Sequence, residues 1–251
     1  MKIVVNGLLT NYATSGTGNK AVVLLHGWAD TMATFTTLRA DLQKRYRVVS
    51  LDLPGFGGTD APKGVWGLDD YGQFIAAFLK KIDQPNPYAA IGHSNGGAIA
   101  IRGLASGTLQ AKKLVLLGSA GVRDVQTARK RVLKVVAKTG KVLSKPLPRS
   151  VRTKMRQKLY KASGSDMLVA EHLQETFKKV VDQDIQTDAA SLQMPTLLLY
   201  GENDTETPPA YGNLLSSRIE GSDLKVITKA GHFVHHDQPD IVARAIGNFL
   251  E

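Results

Sequence analysis

The chain has 251 residues, 43% of them hydrophobic and 22% charged, with no cysteine and a formal net charge of +10. That length suits one hydrophobic core carrying an insertion, and that mixture excludes a disordered chain. The missing cysteines exclude a disulfide, a thiolate metal site and a cysteine nucleophile.

The opening stretch "MKIVVNGLLTNYATSGTG" carries short apolar pieces broken at Asn6 and Gly7. It reads as a strand pair rather than a signal peptide. No apolar run has the length of a bilayer span, so a cytoplasmic location is the expectation. Strand-like runs then follow at "KAVVLLHG", "YRVVSLDLPG", "YAAIGHS", "KKLVLLGSAG", "MPTLLLYG" and "DLKVITKAGH". Near-continuous apolar strands are expected where both faces of a sheet are covered, as in parallel sheets. Between them, "WGLDDYGQFIAAFLKKI" places Leu68, Tyr71, Phe74, Ile75, Phe78 and Ile82 close to a 3.6-residue period. "NGGAIAIRGLASG" and "PDIVARAIGNFLE" also suit helices. Strand–helix alternation predicts an α/β fold with a mostly parallel central sheet flanked by helices. One segment, from about Arg123 to Asp188, has no convincing strand. It is helical in pattern, basic, and interrupted by Pro146 and Pro148. The expected organisation is a core of residues 1–122 and 188–251 with a helical insertion over 123–187.

The chemistry starts at Gly92-His93-Ser94-Asn95-Gly96, with a strand before it and a helix after it. That is the context of a G-x-S-x-G nucleophile elbow, where a strained turn exposes the serine. A Cβ at either glycine would collide with the neighbouring strand or helix, and the helix N-terminus favours negative charge near Ser94. Alone, the pentapeptide also fits an inert glycine turn. A serine needs a base and an orienting carboxylate. Downstream, "LLLYGENDTETPP" puts Asp204 in the loop after a strand, and "KVITKAGHFVHHDQP" puts His232 after the next. Glu202, Glu206 and Asp124 compete with Asp204, and His235 and His236 compete with His232. Upstream, "VVLLHGWAD" ends a strand where an oxyanion hole would take backbone N–H groups from Trp28 and Asn95. His26 reads as a brace of that loop, Asp52 as a loop brace, His93 as filling the elbow and His172 as a helix residue. No spacing suggests a metal site, and no cofactor is expected.

Together "LLHGW", "LDLPGFGGTDAP", "IGHSNGG", "LLLYGENDTETPP" and "AGHFVHHDQP" make the chain resemble an α/β-hydrolase-fold serine hydrolase of the capped esterase type. The resemblance covers most of the chain outside the insertion. It implies Ser94 as nucleophile, His232 as base, Asp204 as its partner, and the insertion as a helical lid (cap). Serine at the elbow argues against the family's dehalogenases and epoxide hydrolases, which carry aspartate there. The short "HGW" loop argues against the hormone-sensitive-lipase-like esterases. The expected reaction is cleavage of a small-molecule carboxylic ester through an acyl-enzyme. Hydrolysis of a thioester, lactone or carbon–carbon bond, and a hydrolase-like receptor with slow turnover, are the alternatives.

The charge is concentrated. Between Arg123 and Lys161 lie 14 basic residues and one acid, Asp124, so the whole basic excess sits on the expected lid. A solvated lid face and weak association with an anionic membrane both fit this pattern. Nucleic-acid binding does not, since no recognition motif accompanies the charge.

Overall fold

The structure is a computed structural model that describes residues 1–123 and 171–251. Its strands are β1 (Lys2–Val5), β2 (Leu8–Ser15), β3 (Ala21–Leu25), β4 (Arg47–Leu51), β5 (Ala89–His93), β6 (Lys113–Leu117), β7 (Thr196–Gly201) and β8 (Asp223–Ile227). Its helices are α1 (Thr36–Leu42), α2 (Leu68–Lys81), α3 (Asn95–Ala105), α4 (Gln174–Asp182), α5 (Gln186–Ala190), α6 (Pro209–Arg218), α7 (Val234–Asp237) and α8 (Pro239–Leu250). The strands form one sheet in the order β1-β2-β4-β3-β5-β6-β7-β8. The β1–β2 and β2–β4 pairs are antiparallel and the other five are parallel. β1 and β2 are the expected strand pair, turned at Asn6 and Gly7, both at positive φ (47° and 81°). An Asn-Gly pair tolerates that conformation better than other residues, and it suits a two-residue hairpin.

The continuous apolar runs have a direct cause. Side chains alternate between the two faces of a strand. Val23 and Leu25 of β3 join one core layer, and Val22 and Leu24 join the other. β6 divides the same way, with Leu114 and Leu116 on one face and Val115 and Leu117 on the other. The first layer is closed by α2, with Tyr71, Phe74, Ile75 and Phe78, and by Ile99, Ile101 and Leu104 of α3. The second is closed by Leu38 and Leu42 of α1 and by Val242, Ile246 and Leu250 of α8. Edge strand β8 departs from the apolar expectation, since Asp223 and Lys225 are exposed. Charge on an edge discourages pairing with another chain.

The insertion leaves the core after β6 and returns before β7. Most of the expected lid, 123–187, lies outside the described residues, as do Asp124, Pro146, Pro148 and nearly all of the basic segment. Its described end is helical. α4 buries Thr176 and Val180. The expected boundary at 188 falls inside α5, which is tied to α3 by an Arg102 Nε–Asp188 Oδ2 contact of 2.9 Å. Among the described residues no helix is long and apolar enough to cross a membrane.

Candidate active site

Ser94 sits between β5 and α3 at φ 50°, ψ −117°, a conformation that a non-glycine residue rarely adopts and that costs roughly 1–3 kcal/mol. The neighbouring backbone holds it there. Ser94 N–H donates to Leu117 O at 3.0 Å, and Ser94 O accepts from Ala120 N–H at 3.0 Å. The flanking glycines are needed for close approach. A Cβ on Gly92 would come within 2.6 Å of the Gly96 carbonyl and the Gly97 Cα. One on Gly96 would run into the carbonyl oxygens of Leu25 and His26. The bend is thus wedged between α3 and the end of β3.

The end of β3 supplies the other wall. Gly27 passes so close that a Cβ there would lie 3.2 Å from the Ser94 Cβ. Trp28 follows, and Asn95 opens α3, where a first-turn N–H lacks an intrahelical acceptor. Neither the Trp28 nor the Asn95 backbone N–H donates to an acceptor among the described residues. The Trp28 indole and Asn95 amide nitrogens are also buried without an acceptor among the described residues. The Trp28 ring lies 4.9 Å from Phe56 and 5.1 Å from Phe177 of α4, so it packs beneath the described end of the insertion.

His26 fixes this loop. Its Nε2 accepts from Leu53 N–H at 2.8 Å, which puts the proton on Nδ1, and Nδ1 donates to Gly27 O at 2.8 Å. Burial lowers its pKa, opposed by the Gly27 carbonyl, Asp30 and Asp52. Asp52 braces the loop after β4, accepting from Met32 N–H, Asn11 Nδ2 and Gly58 N–H at 2.8, 2.8 and 2.9 Å.

Beyond β7, Asp204 is 3% exposed. Its Oδ1 accepts from Glu206 and Thr207 N–H at 2.8 and 2.9 Å. Its Oδ2 lies 2.8 Å from His232 Nδ1. Burial is the largest influence on the Asp204 pKa and acts upward. The hydrogen bond and charge of His232, with the two bonds from Thr207, outweigh it and hold the carboxyl below its ordinary range. Of the loop's other acids, Glu202 turns to Lys229 N–H at 3.2 Å, and Glu206 approaches His232 Nε2 at 3.6 Å. The His232 ring lies 4.8 Å from that of His93, the residue before Ser94. His235 is buried, bonded to Thr34 Oγ1 at 3.2 Å and packed on Phe35. His236 bonds to Thr34 O at 2.7 Å. His172 stands in a short 3₁₀ turn rather than an α-helix, 3.2 Å from Gly55 O.

Sequence reasoning passed over Thr207. Its hydroxyl lies 2.8 Å from Asp204 Oδ2, 3.0 Å from His232 Nδ1 and 2.9 Å from Gly118 O. It joins the acid and the imidazole to the end of β6. The one local signal was its spacing, three residues after Asp204, which lets an aspartate side chain accept the Thr207 N–H.

Residues 22–245 match the Alpha/beta hydrolase family. The chain belongs to that family. Its chemistry is therefore hydrolysis, in the broad sense the family shares. Among curated relatives, the 2-hydroxy-6-oxo-2,4-heptadienoate hydrolase of Pseudomonas putida is 26% identical over 99% of this chain and 95% of its own. Among solved structures, the enol-lactonase of Burkholderia xenovorans superposes with a TM-score of 0.78 at 20% identity, covering 100% and 99% of the two chains. A thermophilic esterase of Thermogutta terrifontis gives 0.75 at 22% identity, covering 100% and 97%. At such identities the two structures speak for the fold alone.

Proposed function

We propose that this hydrolase cleaves a carboxylic ester through Ser94, His232 and Asp204. The observation that carries the reading is the 2.8 Å contact of Asp204 Oδ2 with His232 Nδ1. A carboxylate there keeps a proton on Nδ1, which puts the basic lone pair on Nε2. In this reading Ser94 attacks the ester carbonyl and gives its proton to Nε2. The Trp28 and Asn95 N–H groups receive the developing oxyanion. Nε2 then returns the proton to the departing alcohol, and water releases the acid by the same route. The insertion over 123–187 acts as the cover, a role supported by Phe177 of α4 on the Trp28 ring.

A p-nitrophenyl ester series tests this. Wild type is expected to turn over many times, whereas Ser94→Ala is expected to lose on the order of a thousandfold or more and to stop reacting with a fluorophosphonate probe. Labelling that survives Ser94→Ala would overturn the assignment. A single stoichiometric burst would point to the slow-turnover receptor. A second reading is carbon–carbon bond hydrolysis, favoured by the named substrate of the Pseudomonas putida relative at 26% identity. Turnover of that dienoate with none of the esters would select it.

A further inference from the structure

Two carboxylates approach the His232 ring, one at each nitrogen. Asp204 takes Nδ1 at 2.8 Å from a fully buried position. Glu206 lies 3.6 Å from Nε2, and its side chain is 51% exposed. The turn that Asp204 ties holds Glu206 in place, since Glu206 N–H donates to Asp204 Oδ1 at 2.8 Å. The next residue, Thr207, donates its own N–H to the same oxygen at 2.9 Å. Glu206 therefore presents a carboxylate on the side of the ring that faces away from Asp204.

This placement bears on the ester-cleaving reading above, on which the inference rests. There, Nε2 is the atom that hands a proton to the departing oxygen, so a charge beside Nε2 is a charge beside the leaving group. We propose that Glu206 makes the leaving-group side of the site select neutral or cationic alcohols and reject alcohols that carry a carboxylate. A unit charge roughly 6 Å away in a half-exposed site shifts the rate by about tenfold through Coulomb interaction. The effect of Glu206 on the imidazolium itself is common to all substrates, so it cancels when leaving groups are compared. The other ionisable rings against His232 add no such discrimination. Burial, first among the causes, holds His93 well below the ordinary histidine range and His235 down at about 3, so neither carries charge at neutral pH.

The test uses three acetates that differ in the charge of the phenol: phenyl acetate, 4-acetoxybenzoate and 4-(trimethylammonio)phenyl acetate. For each, kcat/KM of a variant is divided by that of wild type. Glu206→Gln is expected to raise the anionic substrate about tenfold relative to the neutral one and to lower the cationic one by a similar factor. Glu206→Asp is expected to keep the wild-type order, and Glu206→Lys to invert it. All the differences are expected to shrink between low and high salt. Equal ratios for the three substrates in both Glu206→Gln and Glu206→Lys would overturn the proposal. Ser94→Ala distinguishes that failure from the failure of the underlying reading. If it keeps its activity on the acetates, the reading of the site fails. If it is inactive while the ratios stay equal, only the role of Glu206 fails.

Discussion

His93 Nε2 donates to the backbone carbonyl oxygen of His232 at 3.1 Å. The residue before the elbow serine thus holds the main chain of the imidazole across the sheet edge. Its Nε2 carries the proton, and its Nδ1 is buried without a partner among the described residues, so a second proton there would have no acceptor and the ring stays neutral. Desolvation leads the causes that keep it neutral, followed by the neighbouring His235 and His232.

Acid sensitivity follows from this pair. Unfolded, His93 and His235 titrate near about 6.5. Folded, both are depressed, His235 to about 3. Below about pH 6.5 the unfolded chain binds more protons than the native one, so stability falls as pH falls. The slope is about 1.4 kcal/mol per pH unit for each histidine kept neutral. Asp204, depressed as well, adds its loss at lower pH, as its folded-state pKa is crossed. Melting temperatures measured from pH 7.5 to 4.5 should drop steeply, and His235→Phe should flatten the curve. A Tm that is level across this range in wild type would contradict the neutral assignment.

How much of this could be read from residues alone depended on distance along the chain. The elbow was legible because Gly92 answers to the Gly96 and Gly97 backbone that a strand–turn–helix must bring close, whereas the Leu25 and His26 carbonyls that Gly96 meets come from the end of β3, far along the chain. The core strands were legible because two covered faces demand unbroken apolar runs. α6 was not foreseen, and "PAYGNLLSSR" buries only Gly212 and Leu215 among its ten residues, too few for a periodic signal. Nor could spacing decide among Glu202, Asp204 and Glu206, because their separate partners (Lys229 and the two nitrogens of His232) are set by how β7 and β8 lie together.

Replacing the imidazole should separate His232 from its neighbour His236. His232→Ala is expected to lose activity nearly as fully as Ser94→Ala, whereas His236→Ala should be mild. Rates should also rise through about pH 6 to 7 as a histidine base loses its proton. A rate independent of pH from 5 to 8, or loss of activity in His236→Ala with His232→Ala intact, would move the base elsewhere.

Around the carboxylate, two variants should differ in size. Asp204→Asn is expected to cost on the order of ten thousandfold in kcat, because an amide can reverse the imidazole tautomer. Thr207→Val removes the hydroxyl that contacts Asp204 Oδ2, His232 Nδ1 and Gly118 O but leaves the carboxylate, and should cost roughly tenfold to a hundredfold. Steady-state kinetics on one ester compares them. A larger loss for Thr207→Val than for Asp204→Asn would make the hydroxyl, not the carboxylate, the group that orients His232.

At the wedge, Gly96→Ala places a methyl against the Leu25 and His26 carbonyls. Overpacking against backbone that cannot yield should destabilise the protein by about 3 kcal/mol or more, seen as a lowered denaturation midpoint. An unchanged midpoint would mean that the β3–α3 contact is looser than its geometry.

The main chain at Ser94 is held by Leu117 O and the Ala120 N–H, and its side chain takes no part in either bond. The bend is therefore a socket that accepts other small side chains without being rebuilt. Since the natural chain has no cysteine, Ser94→Cys would put the protein's only thiol at the floor of the site. A fluorophore, spin label or disulfide-tethered fragment added to that variant would report from one address, and its signal would need no background of other thiols removed.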